Sequence, residues 1–128
     1  MTKREFFDKQ VERVLAELPI KVLKLLEEVP LHVEDRPPKQ LRDELQIEFS
    51  DELCGCFTGV PINQTQDHAD KVPNSVTIFR SGIWAKHLDE AGGVSIRELR
   101  RQIRITILHE LAHYHGIEEE ELEEMGYG

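Results

Sequence analysis

The chain has 128 residues, of which 39% are hydrophobic and 32% charged, and this composition is typical of a water-soluble globular protein with one core. Its net charge of −9 argues against nucleic acid as the main partner. No apolar run is long enough to span a bilayer and residues 1–5 lack the pattern of a signal peptide, so we expect no membrane partner and a cytoplasmic location. We predict a single domain over residues 1–128 and leave its oligomeric state open.

Two amphipathic helices are predicted at the start of the chain. Thr2 and Glu5 have the spacing of a capping box, in which the threonine hydroxyl accepts a hydrogen bond from a backbone N–H of the first turn. Apolar residues then recur at helical spacing. The first helix is expected from about Glu5 to Leu18, and the second from Lys21 to Glu28.

Short elements are predicted in the middle of the chain. Three stretches are typical of strands, namely residues 31–34, 53–57 and 76–79. Two others favour short helices or turns, namely residues 39–45 and 83–88. The polar stretch 61–75 predicts a loop, and its segment 67–70 contains ligand-type residues that a solvated turn explains better. Most connections are too short for repeated parallel crossovers, so we predict an α+β fold with a small mixed or antiparallel sheet packed against helices.

A long amphipathic helix is predicted over residues 96–115. Ser95 and Glu98 form a second capping box at its start, and Gly116 is well placed to end it in the left-handed conformation. One apolar stripe should face the core, consisting of Ile96, Leu99, Ile103, Ile107, Leu111 and Tyr114. A second face carries four arginines that we interpret as solvated, namely Arg97, Arg100, Arg101 and Arg104.

Within this helix, the segment His109-Glu110-Leu111-Ala112-His113 places two histidines on a third face. Positions four residues apart lie one turn apart on the same side of a helix, so both imidazoles can bind one metal ion. Glu110 lies on the adjoining flank, where it can act as a base toward a water at the ion. This is the spacing of zinc metallopeptidases. The alternative is a helix with two incidental histidines, and the capping box, the separated faces and the terminal glycine favour the metal site.

A catalytic zinc site commonly has three protein ligands and one open position. If Gly116 turns the backbone sharply, the side chain of Glu119 can reach the ion as the third ligand. Glutamate occupies every position from 118 to 121, so Glu118 and Glu120 are alternatives to Glu119.

The only two cysteines, Cys54 and Cys56, are separated by a single residue. A disulfide bond across so short a ring would be strained, and we therefore predict free thiols in a reducing compartment. One C-x-C pair without a second pair is weak evidence for a metal site.

The stretch from His109 to Glu119 resembles the extended H-E-x-x-H-x-x-G-x-x-(H/D/E) signature of metzincin-type zincins, with Glu119 where many members have histidine. The whole chain resembles more closely the small bacterial minimal zincin metallopeptidase-like family. This similarity covers nearly all of the chain. It is carried by the N-terminal amphipathic helix and by residues 33–38, 57–61, 76–80, 104–110 and 125–128. The resemblance implies a zincin-like fold, a strand over the cleft as a peptide-binding edge, and an acidic third ligand after the glycine.

Carried over by position, the resemblance implies a zinc ion (Zn2+) bound by His109, His113 and Glu119, with Glu110 as the general base. It implies a metallopeptidase that hydrolyses peptide or amide bonds in a peptide or protein substrate.

Several alternatives stay open at this point. Tyr114, Tyr127 and a backbone N–H are the candidate donors to the oxyanion. A different hypothesis is a zincin-like module that binds metal without peptidase turnover and acts in regulation or partner recognition. A third is a small interaction domain in which the motif is inert.

Overall fold

The structure, a computed structural model, describes residues 1–48, 53–59, 74–86, 93 and 95–114. The elements in these residues are α1 (Lys3–Glu17), α2 (Ile20–Glu28), β1 (Leu31–Glu34), α3 (Lys39–Glu44), β2 (Gly55–Thr58), β3 (Ser75–Phe79), α4 (Arg80–Ala85) and α5 (Ile96–Tyr114). Helices and a small sheet therefore occur together, and the α+β fold predicted from the sequence is confirmed.

Two side-chain caps begin the helices at the positions predicted. The Thr2 hydroxyl accepts a hydrogen bond from the Glu5 backbone N–H at 3.1 Å, and the Ser95 hydroxyl accepts one from the Glu98 N–H at 3.4 Å. Because a helix begins at the residue after its N-cap, α1 starts at Lys3, earlier than the predicted Glu5.

The sheet has three strands in the order β1-β3-β2. β1 runs parallel to β3, with Leu31 opposite Val76, whereas β2 runs antiparallel to β3, with Gly55 opposite Ile78. The sheet is thus mixed, which is one of the two arrangements predicted. In the part of the chain that the structure describes, β2 pairs on one side only and is an edge strand.

α4 begins directly after β3, at Arg80, and not at Ile83 as predicted. The reason is that Arg80 forms ion pairs with two aspartates and Gly82 packs closely against a neighbouring backbone, and both contacts favour an immediate turn into the helix. Residues 87–88 of the predicted helix and residues 61–73 of the predicted loop lie outside the described residues.

The core lies between the inner face of the sheet, α1 and α5. Its buried members include Phe7, Val11 and Val14 of α1, Val76 and Ile78 of β3, and Leu99, Ile103, Ile107, Leu111 and Tyr114 of α5. The predicted stripe on α5 is therefore buried apart from Ile96, which is 44% exposed in the first turn.

The arginine face of α5 is only partly solvated. Arg97, Arg101 and Arg104 are exposed, as predicted. Arg100 is half-buried, and its Nε donates a hydrogen bond of 2.7 Å to the side-chain oxygen of the buried Gln10. The prediction of a solvated side chain is wrong for Arg100, because α1 packs over this part of α5.

None of the described helices combines the length and the apolar character needed to cross a bilayer.

Candidate metal centre

α5 brings His109, Glu110 and His113 together at one end of the helix. One possible ligand atom from each residue lies within 4.8 Å of the other two. The Nε2 atom of His113 is 4.0 Å from Oε1 of Glu110, and the centroids of the two imidazole rings are 4.8 Å apart. The geometry expected from the four-residue spacing of the histidines is therefore present.

The chemistry of these three side chains fits a divalent metal ion. Two imidazoles and a carboxylate are ligand types that zinc takes in proteins. Glu110 is only 7% exposed, whereas the two histidines are half-buried and reach solvent.

β2 lies directly against this part of α5. A Cβ atom added to Gly55 would be 2.8 Å from Cγ2 of Thr106, 2.9 Å from the carbonyl oxygen of Thr77 and 3.4 Å from Cγ of Glu110. Atoms of Thr106 and Thr77 therefore occupy the space that a side chain at position 55 would need, and glycine allows the strand to lie this close to the helix.

Thr106 lies one turn before Glu110 and is itself buried. Its hydroxyl donates a hydrogen bond of 2.8 Å to the carbonyl oxygen of Gln102 and accepts one of 3.1 Å from the Gln102 side chain. These bonds hold the hydroxyl against the helix, so the methyl group of Thr106 is the part that faces Gly55.

A sequence comparison agrees with this geometry. A model of the family described as zincin-like metallopeptidase matches residues 26–128. The chain belongs to this family. No curated protein matches the chain. Membership of the zincin-like family accounts for the small mixed sheet beside the α5 helix and implies a divalent metal ion, which His109, Glu110 and His113 could bind.

Two cysteines lie close to the zincin-like site. Cys54 and Cys56 are free thiols, as the sequence predicts, and both are half-buried. Burial raises the pKa of the Cys54 thiol by more than the neighbouring Lys86 lowers it. Burial and the charge of Glu110 raise the pKa of the Cys56 thiol. Both groups are therefore neutral thiols, and neither belongs to the metal-binding cluster found among the described residues.

Tyr114, one of the candidate oxyanion donors, lies in the last turn of α5. It is 9% exposed and belongs to the core, where its ring packs against Phe57 with 5.8 Å between centroids. The ring therefore contacts β2, and the role of Tyr114 as the oxyanion donor stays a prediction.

Part of the predicted site lies outside the described residues. This applies to Glu119, its alternatives Glu118 and Glu120, and Tyr127. The third metal ligand therefore stays a prediction. Sequence reasoning missed the contact between Gly55 and Thr106, for which an isolated glycine in a strand pattern was the available signal.

Proposed function

We propose that the protein is a zinc-dependent peptidase in which Glu110 is the general base. The observation that carries this proposal is the grouping of the buried Glu110 carboxylate with two imidazoles on one helix of a zincin-like chain. Neither the activity nor zinc itself follows from the family alone, and both are part of the proposal.

The imidazole nitrogens of His109 and His113 would hold the metal, together with a carboxylate that we assign to Glu119. When bound, zinc acts as a Lewis acid toward the carbonyl and lowers the pKa of a coordinated water to about 7. Glu110 accepts the proton of the attacking water and delivers it to the leaving nitrogen. Because the Glu110 side chain is buried and its Cγ lies close to Gly55 of β2, we expect its carboxylate to be held in place before the substrate arrives.

We further propose that the substrate is an extended peptide that adds to the edge of β2 that no other described strand pairs with. An edge strand presents unpaired N–H and C=O groups that can pair with the backbone of another chain. β2 pairs with β3 on its other side and lies against the helix that carries the histidines. A peptide paired with this edge would therefore pass over the metal-binding face of α5.

The proposal is tested by Glu110→Gln, which keeps the size of the side chain and removes the base. We expect the rate of cleavage of a peptide library to fall by about 100-fold to 10,000-fold, the usual range for loss of acid–base catalysis, while bound zinc is retained. Glu98→Gln is the matched control, because Glu98 is an exposed acid in the first turn of the same helix. Equal cleavage by the Glu110→Gln variant and the wild type would refute the assigned chemistry.

A second candidate function is metal binding without peptidase turnover, in regulation or partner recognition. One observation favours it. A cavity of about 710 Å³ opens between α1, α4 and the end of β1, and residues such as Lys3, Arg36 and Trp84 line it, whereas His109 and His113 do not. Tight zinc binding without cleavage across broad peptide libraries would support this candidate. Cleavage that depends on Glu110 would eliminate it.

A further inference from the structure

Two glycines allow close contacts between two helices and the segment from Leu53 to Gly55, which includes the start of β2. Gly55 lies against Thr106 and Glu110 of α5, as described above. Just before the strand, a Cβ atom added to Gly82 of α4 would overlap the carbonyl group of Leu53 and lie 3.1 Å from the Cys54 nitrogen. The start of the strand is also fixed to the sheet, because the carbonyl oxygen of Cys54 accepts a hydrogen bond of 2.7 Å from the Phe79 N–H.

The spacing between β2 and α5 changes along the strand. At Gly55 there is no room for a side chain, whereas at Phe57 an aromatic ring fills the space and contacts Tyr114. From Gly55 to Phe57, the strand thus follows α5 from Thr106 to Tyr114. This part of α5 contains both histidines. At Gly55, the nearest side chain of the helix is that of Thr106, and the next nearest is that of Glu110.

We propose that Gly55 is a positioning residue, which sets the distance between the Glu110 carboxylate and the edge of β2 that is unpaired among the described strands. The inference rests on the proposed function, because it assumes that a substrate peptide pairs with that edge. A side chain at position 55 would contact the Thr77 carbonyl oxygen and the Thr106 methyl group, and would therefore push the strand away from α5. The scissile carbonyl of a paired peptide would move with the strand.

A shift of this kind has a larger effect on the reaction than on metal binding. Displacement of reacting groups by about 1 Å can cost about 100-fold in rate. The histidines, in contrast, belong to α5 alone and keep their mutual geometry when the strand moves. Gly55 should therefore affect peptide binding and turnover without changing affinity for zinc.

The test compares two zinc-directed probes on the zinc-loaded protein and its Gly55→Ala variant. Acetohydroxamate contacts only the metal and its surroundings, whereas a peptidyl hydroxamate also pairs with the strand edge. We expect Gly55→Ala to weaken the binding of the peptidyl hydroxamate at least tenfold. The affinities for acetohydroxamate and for zinc should stay within twofold of those of the wild type. For a cleaved peptide, KM should rise and kcat should fall.

Gly59→Ala is the matched control, since Gly59 has a φ of +126° and an added Cβ would overlap the side chain of Asn74, not α5. This variant should be less stable than the wild type, but its affinity for the peptidyl hydroxamate should not fall relative to its affinity for acetohydroxamate. If Gly55→Ala does not fold, Thr106→Leu adds bulk to the same contact from the helix side, and the same selective loss is expected.

Equal affinity of the Gly55→Ala variant and the wild type for the peptidyl hydroxamate would overturn the role of Gly55. An equal decrease in the affinities for both hydroxamates would overturn it as well. These results are separable from failure of the proposed function. A wild-type protein that binds the peptidyl hydroxamate tightly but cleaves no peptide would refute the peptidase, while the comparison of probes would still decide the role of Gly55.

Discussion

Glu110 differs from the two histidines in its surroundings as well as in its chemistry. It is 7% exposed and packs beside Gly55, whereas His109 and His113 are half-buried and reach solvent. Electrostatic interactions are stronger where water is excluded. The buried carboxylate is therefore suited to act as the base, and the more accessible imidazoles are suited to capture an ion from solution.

The third ligand can be located by single substitutions in the acidic segment after Gly116. Loss of a residue that only orients a ligand costs about 10-fold to 100-fold in metal affinity, so loss of a direct ligand should cost more. We expect Glu119→Gln to weaken zinc binding by more than about 100-fold in a competition assay with a chromophoric chelator. Glu123→Gln serves as the control.

The same series covers Glu118→Gln and Glu120→Gln, which should each change zinc affinity by less than about 10-fold. A larger effect of either one than of Glu119→Gln would move the ligand to that position. No effect from any of the three would contradict an acidic third ligand.

At the residue scale, the histidine pair could be predicted because its geometry follows from local helix periodicity alone. The place of Arg100 could not, because its hydrogen bond to Gln10 depends on how α1 packs over α5. The fit between Gly55 and Thr106 likewise depends on a contact between distant segments. The spacing of residues along the sequence does not predict either of these two contacts.

Among the secondary-structure elements, α1 and α4 are joined to each other and to the segment after β1 by the side chain of Arg80. Its Nε and second amino group donate hydrogen bonds of 2.8 and 3.0 Å to the two carboxylate oxygens of Asp8, and its other amino group donates one of 2.7 Å to Asp35. Burial acts to lower the pKa of Arg80, but the bonds and charges of the two aspartates outweigh it and raise the pKa. The guanidinium therefore stays charged and connects α4 with α1 and with the segment after β1.

We expect Asp8→Ala to lower the free energy of unfolding by about 1–2 kcal/mol, measured by urea denaturation. The Arg80 side chain is only 12% exposed and loses two hydrogen bonds, although solvent at the half-exposed Asp8 screens part of the charge. Arg4→Ala is the control, because Arg4 and Asp35 form an exposed ion pair at 3.9 Å that should contribute less than about 0.5 kcal/mol. Equal effects of the two substitutions would argue against a stabilising role of the Arg80 cluster.

The elements themselves were largely predictable, because capping residues and alternating polarity are local signals. β1 was predicted with its observed bounds, Leu31–Glu34. The start of α4 was misplaced, because it depends on the ion pairs of Arg80 with residues of α1 and the segment after β1. Which strands would pair, and in which direction, was not determined by any one segment.

For the molecule as a whole, we propose that residues 1–128 unfold as one domain and that zinc stabilises it. A ligand that binds only the folded state adds about 2.7 kcal/mol at a free concentration 100-fold above its Kd. We expect a single thermal transition that moves to higher temperature when zinc is added and returns when a chelator removes it.

His113→Ala should abolish this shift, because it removes one of the two imidazoles, while magnesium should not reproduce the shift in the wild type. A zinc-induced shift of equal size in the His113→Ala variant would place the stabilising ion elsewhere on the protein.

Similarity to the family begins at residue 26, yet α1 lies before that point and takes part in the same hydrophobic interior as α5. Phe7, Val11 and Val14 pack in the same core as the helix that carries the histidines. Asp8 accepts a hydrogen bond from Arg80 of α4, and Gln10 accepts one from Arg100 of α5. A fragment that begins at residue 26 would therefore lack α1 and would expose the part of the hydrophobic core that α1 covers. Boundaries for expressing this protein should follow the packing and not the alignment.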